Sequence, residues 1–375
     1  MSWYITGSGG VASVGSGVGP LFDSLCAGRT GLAPLRGFDA EPFRARHAYE
    51  IDNRPEPGRD VPHRATDALV EAITEAAREA GLDDLTDVPI LVGTGLRELR
   101  SLELWWRDGV PFAPRDLHFG TALRDRLGAV TTYTFSNACS ASLYALAMGS
   151  DMLALDAADT VIVAGVDVLT ESMHGLLERV HATPPDRVRP FDRNRTGVLM
   201  GDGAAAVVLR REPGDRPKGR LRAVSVNCDA YHVTAPDPKG IASAMRSSHD
   251  LAGVKPEDVD LVLLHGTGTL LNDEAEAVAM ADVYGDHADG PLMTAIKSMT
   301  GHTSGASGLM NLVVGLESLR TGVVPPVVGL DDPVDEAADF RFVLGEPATG
   351  DLSVAQVNAF GFGGINAVAI VEAVR

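Results

Sequence analysis

The stretch DLVLLHGTGT, residues 260–269, reads as an apolar strand running into a glycine turn, with His265 at the junction. PILVGTG, residues 89–95, has the same form. Val92-Gly93-Thr94-Gly95 after ILV echoes His265-Gly266-Thr267-Gly268 after VLL, and GAAAVVL (203–209) echoes GINAVAI (364–370). The two offsets are similar, roughly 160–175 residues, which points to two diverged copies of one α/β unit. Short echoes in Gly/Ala-rich sequence also arise by chance, so the grammar of the whole chain has to support them.

It does. WYIT (3–6) reads as a short buried strand ending in GSGGVASVGSGVG. In ATDALVEAITEAAREA (65–80), Leu69, Ala72, Ile73, Ala76 and Ala77 share one helical face, and Gly81 ends the helix. DTVIVAGVDV (159–168) and GAAAVVLRR (203–211) are strands. The second part repeats the pattern with a strand at 221–231, a helix at 243–254, the strand at 260–269, helices at 272–285 and 308–322, and a closing strand at 365–374. Strands alternating with helices imply an α/β fold with mainly parallel sheet and helices on its faces.

Bulk properties narrow the class. The 375 residues suit two half-domains or one large α/β unit. The net charge of −19 argues against general affinity for nucleic acid. Within 178–195, ERVHATPPDRVRPFDRNR, five Arg face three acids, so this segment reads as a basic patch on an acidic body or as a solvated loop. Cys26, Cys139 and Cys228 have no paired spacing, which disfavours a disulfide scaffold or a zinc site. MSWYITGSGG lacks a basic start and a long apolar region, and no run of about 18 apolar residues occurs. The expectation is a soluble, cytoplasmic protein without a membrane span.

Four segments carry polar groups in places suited to chemistry. In TFSNACSASLYALAMGSDML (134–153), Cys139 precedes an apolar helical run that Ser136 or Asn137 can cap. In the first turn of that helix the dipole and free N–H groups favour a thiolate; the plainer reading is a small core thiol. His265 ends an apolar strand, where α/β proteins place site residues, and its glycines allow close approach of a substrate; a satisfied structural histidine is the alternative. TAIKSMTGHTSGASG (294–308) sets Lys297 five residues before His302, either a solvated lysine or an electrostatic pair. NAFGFGGINA (358–367) is a glycine turn with Phe360 and Phe362, able to offer N–H groups to an oxyanion, or a tight loop before the last strand.

In order, Cys…His…Lys-x4-His…GFGG, joined by PFDRNRTGVLMGDGAAAVVL (190–209), DAYHVTAPDP (229–238) and NDEAE (272–276), resembles the β-ketoacyl synthase family of thiolase-like condensing enzymes. The resemblance covers most of the chain. It implies a five-layer αβαβα sandwich of two similar halves, 1–212 with the nucleophile and 213–375 with the histidines and lysine. It implies Cys139 as acyl acceptor, His265 and His302 as its histidine partners, Lys297 as the supporting lysine and Glu276 as the acid near it. Thr267 and Thr269 support that turn. Phe362 is the gate, and the N–H groups of Cys139 and Phe362 form the oxyanion hole. The implied reaction is decarboxylative condensation of an acyl group on Cys139 with a malonyl-type thioester, in polyketide or specialised fatty-acid biosynthesis. The family needs no cofactor or metal of its own. Phosphopantetheine arrives on an acyl carrier protein, and the assembly is a homodimer or a heterodimer with a related subunit. Since carriers are acidic, the Arg179–Arg195 segment is the expected docking patch.

The chain departs from the pattern in three places. The region from Gly95 to Cys139, holding Trp105-Trp106, is short for the family, Asn137 stands where Thr is common, and Gly268 replaces a Ser. Cyclisation or acyl transfer from acyl-Cys139 is the alternative reaction. A non-catalytic chain-length partner is a further one, although such partners carry Gln in place of the cysteine. Gly7-Ser-Gly9-Gly-Val-Ala12 also fits a dinucleotide fingerprint, but neither a clear helix nor an acid at the end of a second strand follows it.

Overall fold

The computed structural model describes residues 2–56 and 59–374. Ten strands form one continuous path: β1 Trp3–Ala12, β2 Ile90–Gly93, β3 Thr132–Phe135, β4 Thr160–Asp167, β5 Gly203–Arg210, β6 Gly219–Cys228, β7 Leu261–Leu263, β8 Leu292–Thr294, β9 Val354–Gly361 and β10 Ile365–Glu372. Their order across the sheet is β8-β7-β9-β10-β6-β1-β5-β4-β2-β3, and a two-residue strand, Gly15–Ser16, folds back on β1. Counted outward from the β1–β6 junction, both sides run first, fifth, fourth, second, third. The pairing senses also repeat. The first and fifth, and the fifth and fourth, are antiparallel; the other two pairs are parallel. The expectation of a mainly parallel sheet is therefore corrected. Hairpins such as Gly361–Ile365 are too short for the crossover a parallel pair needs. β1 and β6 meet through only three residue pairs, Trp3 with Leu221, Tyr4 with Arg220 and Ile5 with Gly219.

The layers follow from burial. Helices Ala141–Ala154 and Ser307–Thr321 lie between the two halves of the sheet and contact both. Thirteen of the fifteen residues of the second helix, Ser307 to Leu319, are buried, so it is covered all round, as expected for the middle of a sandwich. Helix Arg64–Glu79 covers the outer face of the first half with Leu69, Ala72, Ile73, Ala76 and Ala77, all buried as the periodicity predicts. Helices Pro238–Ala252 and Leu270–Tyr284 cover the second half. The result is five layers, α-β-α-β-α.

The N-terminal glycines differ from expectation. GSGGVA is not a loop after a short strand but the continuation of β1 to Ala12. A Cβ on Gly9 would lie 2.0 Å from the carbonyl oxygen of Ala72, so this glycine lets helix Arg64–Glu79 sit against the strand. Helix packing, not nucleotide binding, accounts for that motif. Helices Leu99–Asp108, Gly120–Leu127 and Glu171–Val180 lay outside the sequence reading. Among the described residues, no helix is long and apolar enough to cross a membrane.

Candidate active site

Cys139 belongs to a 3-10 turn, Ala138–Ser140, and helix Ala141–Ala154 starts after it. This corrects the expected placement in the first α-turn. Neither Ser136 nor Asn137 caps the helix: its N-cap is Ser140, without a side-chain capping bond, and the Asn137 side chain makes none. The Ser140 hydroxyl instead donates to the carbonyl of Ile365, 2.9 Å away, tying this turn to the β9–β10 hairpin. Ala138 is held at φ +48°, a left-handed conformation costly for a residue with a Cβ. Cys139 is partly buried, and burial pushes its thiol up to about 11 while nearby Lys297 pulls it down.

The second half supplies the other groups. His265 follows β7, and its N–H donates to Glu276 Oε1 at 2.8 Å. Gly266 N–H reaches Glu276 Oε2 at 2.9 Å, and Asn358 Nδ2 donates to Oε1 at 3.0 Å. Glu276 sits on helix Leu270–Tyr284 and is fully buried; burial raises its pKa, and these donors oppose the rise. Asp273, one turn earlier, accepts from the N–H groups of Thr267 (3.0 Å), Gly268 (3.1 Å) and Phe191 (2.7 Å). The strand end is thus fastened by two carboxylates of the helix that follows it. A Cβ on Gly266, at φ +42°, would meet Ala295 Cβ at 2.8 Å. That glycine serves the close approach of the Lys297 loop rather than of a substrate. Thr269 caps the same helix by accepting from Asn272 N–H at 3.3 Å, and its hydroxyl lies 2.9 Å from that of Thr267. Both threonines are turn builders.

Lys297 is buried, and its ammonium donates to the carbonyl of His265 and lies 3.4 Å from His265 Nδ1. Burial lowers its pKa, and the Glu276 carboxylate opposes the fall. An ammonium donating to Nδ1 places the His265 proton on Nε2. The rings of His265 and His302 stand 5.5 Å apart at 85°, and Phe360 packs edge-on to His265 at 5.6 Å. His302 is fixed through its backbone: its N–H donates to Leu199 O at 2.9 Å, and its carbonyl accepts from Gly201 N–H at 3.0 Å. Both its ring nitrogens are buried with no hydrogen-bond partner among the described residues. Burial holds both imidazoles well below their usual pKa, and the Lys297 cation pushes the same way. They stay neutral near pH 7.

The structure brings Cys139, His265, Lys297 and His302 together. Ser307 Oγ donates to the Cys139 carbonyl at 3.2 Å, which joins the lysine–histidine loop to the cysteine turn. Phe362 is at the tip of the β9–β10 hairpin, half exposed, while Gly361 before it lies against the Cys139 amide. Sequence reasoning missed Asp167, Asp273, Asn358 and Ser307. Asp167, at the end of β4, accepts from Gly95 N–H, Leu96 N–H, the Thr94 hydroxyl and Gly305 N–H, all within 2.6–2.8 Å. A buried acid at a strand end was the available signal, since such a group must collect donors.

The expected basic patch is corrected. Arg195 is buried under helix Leu270–Tyr284, where it donates to the carbonyls of Thr269 and Leu270. Arg193 pairs with Asp332 and Asp335, and Arg187 and Arg189 share Asp186. The segment is mostly neutralised by its own neighbours.

The N-terminal domain model of β-ketoacyl synthases matches residues 128–213, and the C-terminal domain model matches residues 218–331. The chain is 31% identical to 3-oxoacyl-[acyl-carrier-protein] synthase 2 of Coxiella burnetii, over 99% of this chain and 98% of the relative. It is 30% identical to the oxytetracycline polyketide putative β-ketoacyl synthase 1 of Streptomyces rimosus, over 98% and 96%. Among solved structures, the ishigamide ketosynthase/chain length factor superposes with a TM-score of 0.90 at 31% identity, covering 100% of this chain and 99% of that one. On the domain matches and full-length identity together, the chain belongs to the β-ketoacyl synthase family of condensing enzymes.

Proposed function

We propose that Cys139 carries the acyl group and that His265, His302 and Lys297 drive its condensation with a malonyl-type thioester on an acyl carrier protein, in polyketide or specialised fatty-acid biosynthesis. The observation that carries this reading is the buried Lys297–His265–His302 array, kept neutral at both rings, beside the cysteine turn. Residues 1–212 supply the nucleophile and residues 213–375 the rest.

In the loading step the Cys139 sulfur attacks the thioester carbonyl. A carbon–sulfur bond forms to Cys139, the bond to the carrier thiol breaks, and the departing thiolate takes the cysteine proton. A malonyl thioester follows. Its carboxylate leaves as carbon dioxide, and the electron pair becomes an enolate whose oxygen receives hydrogen bonds from the Nε2–H of His265 and from His302. A neutral imidazole suits this task, because it donates without surrendering its proton. The enolate carbon then attacks the acyl carbonyl, whose oxyanion rests on the N–H groups of Cys139 and Phe362. The bond to Cys139 breaks, and a β-ketoacyl thioester two carbons longer leaves. Lys297 fixes the His265 tautomer, and Glu276 holds the backbone from which that ring projects.

Both thioesters ride on the carrier's phosphopantetheine arm, so no resident cofactor takes part. The names of the Coxiella and Streptomyces relatives support the carrier and the polyketide setting. The dimer is supported by β3, an edge strand with Tyr133 exposed, and by exposed Val130 two residues before it. An unpaired edge beside apolar surface invites a second chain.

Intact-protein mass spectrometry tests the reading. Wild type gains the acyl mass from an acyl thioester, and malonyl-carrier protein then discharges it as a β-ketoacyl carrier; Cys139→Ala gains nothing. An acyl mass that malonyl-carrier protein leaves in place would instead indicate cyclisation or acyl transfer.

A further inference from the structure

A chain of buried side chains runs from the outer layer of the second half to Glu276. His249, on helix Pro238–Ala252, has its ring Nε2 2.6 Å from Gln356 Oε1, and the Tyr284 hydroxyl donates to the same oxygen at 2.9 Å. Gln356 Nε2 donates to Asn358 Oδ1 at 2.8 Å, and Asn358 Nδ2 donates to Glu276 Oε1 at 3.0 Å. All five side chains are buried, and Gln356 and Asn358 share one face of β9. The last of them, Glu276, holds the N–H groups of His265 and Gly266.

The direction of this chain is set by its surroundings. Glu276 Oε1 already accepts from His265 N–H, so an ionised Glu276 must meet the amide nitrogen of Asn358, not its oxygen. The sulfur of Met280 lies 3.7 Å from Gln356 Nε2 and 3.9 Å from Asn358 Nδ2, so each amide nitrogen has a weak acceptor for its second hydrogen. Gln356 Oε1 is left to accept from Tyr284 and from His249, which places the His249 proton on Nε2. A protonated Glu276 breaks this order. Its O–H needs an acceptor, yet the groups on its oxygens are donors: His265 N–H, Gly266 N–H and Asn358 Nδ2. Asn358 can accept only by turning its amide over, and Gln356 opposes that by donating to Asn358 Oδ1.

This lock has a task, because burial drives Glu276 towards its neutral form, and Asp273, one turn earlier on the same helix, drives it the same way. Arg195 lies 3.9 Å from Asp273 and offsets part of that charge. Lys297 is the cation that the Glu276 carboxylate supports, and His265 stands between the two. The other charges on the packed elements are paired at the surface, Arg246 with Asp282 and Asp335 with Arg193.

We propose that Gln356 is a positioning residue for the condensation: by holding the Asn358 amide in one orientation it keeps Glu276 a carboxylate, and with it the turn that carries His265 and the charge that supports Lys297. This rests on the ketosynthase reading above. The test is the single-turnover rate at which malonyl-carrier protein discharges acyl-Cys139, read by intact mass at about pH 8 and about pH 6, either side of neutrality. Losing the lock makes Glu276 easier to protonate, so activity fails at a higher pH. In Gln356→Met the ratio of the rate at the higher pH to that at the lower rises about tenfold over wild type, the scale of one hydrogen bond to a charged group. That variant strands the donors of His249 and Tyr284, so a second one, Gln356→Met with His249→Leu and Tyr284→Phe, removes them together. It shows the same steepening and separates the lost lock from lost folding. A rate lowered by one factor at both pH values, or steepening absent from the second variant, overturns the proposal, since a purely structural role does not follow pH. No discharge of wild type at either pH removes the ketosynthase reading, and this proposal with it.

Discussion

The two halves lay down five strands in one order, but equivalent loops do different work. After the third strand of the first half, a short turn offers one thiol at the head of a central helix. After the third strand of the second half, a longer loop carries Lys297 and His302 before its own central helix. The turns after the second strands differ in how they are fastened. In the first half, Asp167 comes from the neighbouring strand and clamps Thr94, Gly95 and Leu96. In the second half, Asp273 and Glu276 come from the following helix and clamp the backbone N–H groups of residues 265–268. The imidazole of His265 is left for Lys297 and for chemistry. The comparison shows how a repeated scaffold brings an acceptor thiol from one half and its proton-handling partners from the other to the heads of the two central helices, with each set held by its own buried carboxylates.

The sharpest way to break this division is to remove the thiol. Cys139→Ala should lower acyl loading by about 10⁴-fold or more, measured as mass gain, because no second-half group replaces the nucleophile. His302→Ala should leave loading measurable but slow malonyl-dependent discharge about 10²–10³-fold in single turnover, the usual cost of one lost donor at a developing oxyanion. The two clamps should separate in urea unfolding. Glu276→Ala should cost about 3–5 kcal/mol, since it strands buried Lys297 and two N–H groups. Asp167→Asn, which keeps one acceptor oxygen, should cost about 1–3 kcal/mol. A pH series sharpens the picture further. Iodoacetamide labelling of Cys139 should climb with pH towards its thiol value of about 11, and Lys297→Met should move that climb higher, because the cation that lowers it is gone. The smallest effect is expected at the surface. Arg187→Glu with Arg189→Glu should change KM for a carrier-linked substrate by less than about threefold, as Asp186 already offsets part of their charge.

Much of this was legible in the sequence. The echo of VGTG by HGTG and of GAAAVVL by GINAVAI marks the second and fifth strands of each half, and the sheet order places both pairs in equivalent positions. The cysteine, the lysine and the histidines were visible because polar groups stood out in apolar or glycine-rich surroundings. Asp167, Asp273 and Asn358 were not, since what distinguishes a buried acid or amide is the set of N–H groups that folding brings to it. The pattern 178–195 misled for the same reason. Formal charge in sequence says nothing of the acids at 332 and 335 that neutralise Arg193 from far along the chain. The glycines of β1 misled differently: spacing cannot distinguish a glycine that admits a ligand from one that admits a helix.

β1 also carries a lesson about time. Apart from the two-residue return at Gly15–Ser16, its sheet neighbours are residues 203–210 and 219–221, so most of this strand has no lasting partner until some two hundred further residues have been made. Such distant pairing is slow to close, and a waiting glycine-rich strand is open to wrong partners meanwhile. A fusion at the N-terminus would load the same strand, where Trp3 is buried and its indole donates to Ser150. Recovery of folded chain during synthesis should therefore depend on what protects those first ten residues more than on the surroundings of the cysteine.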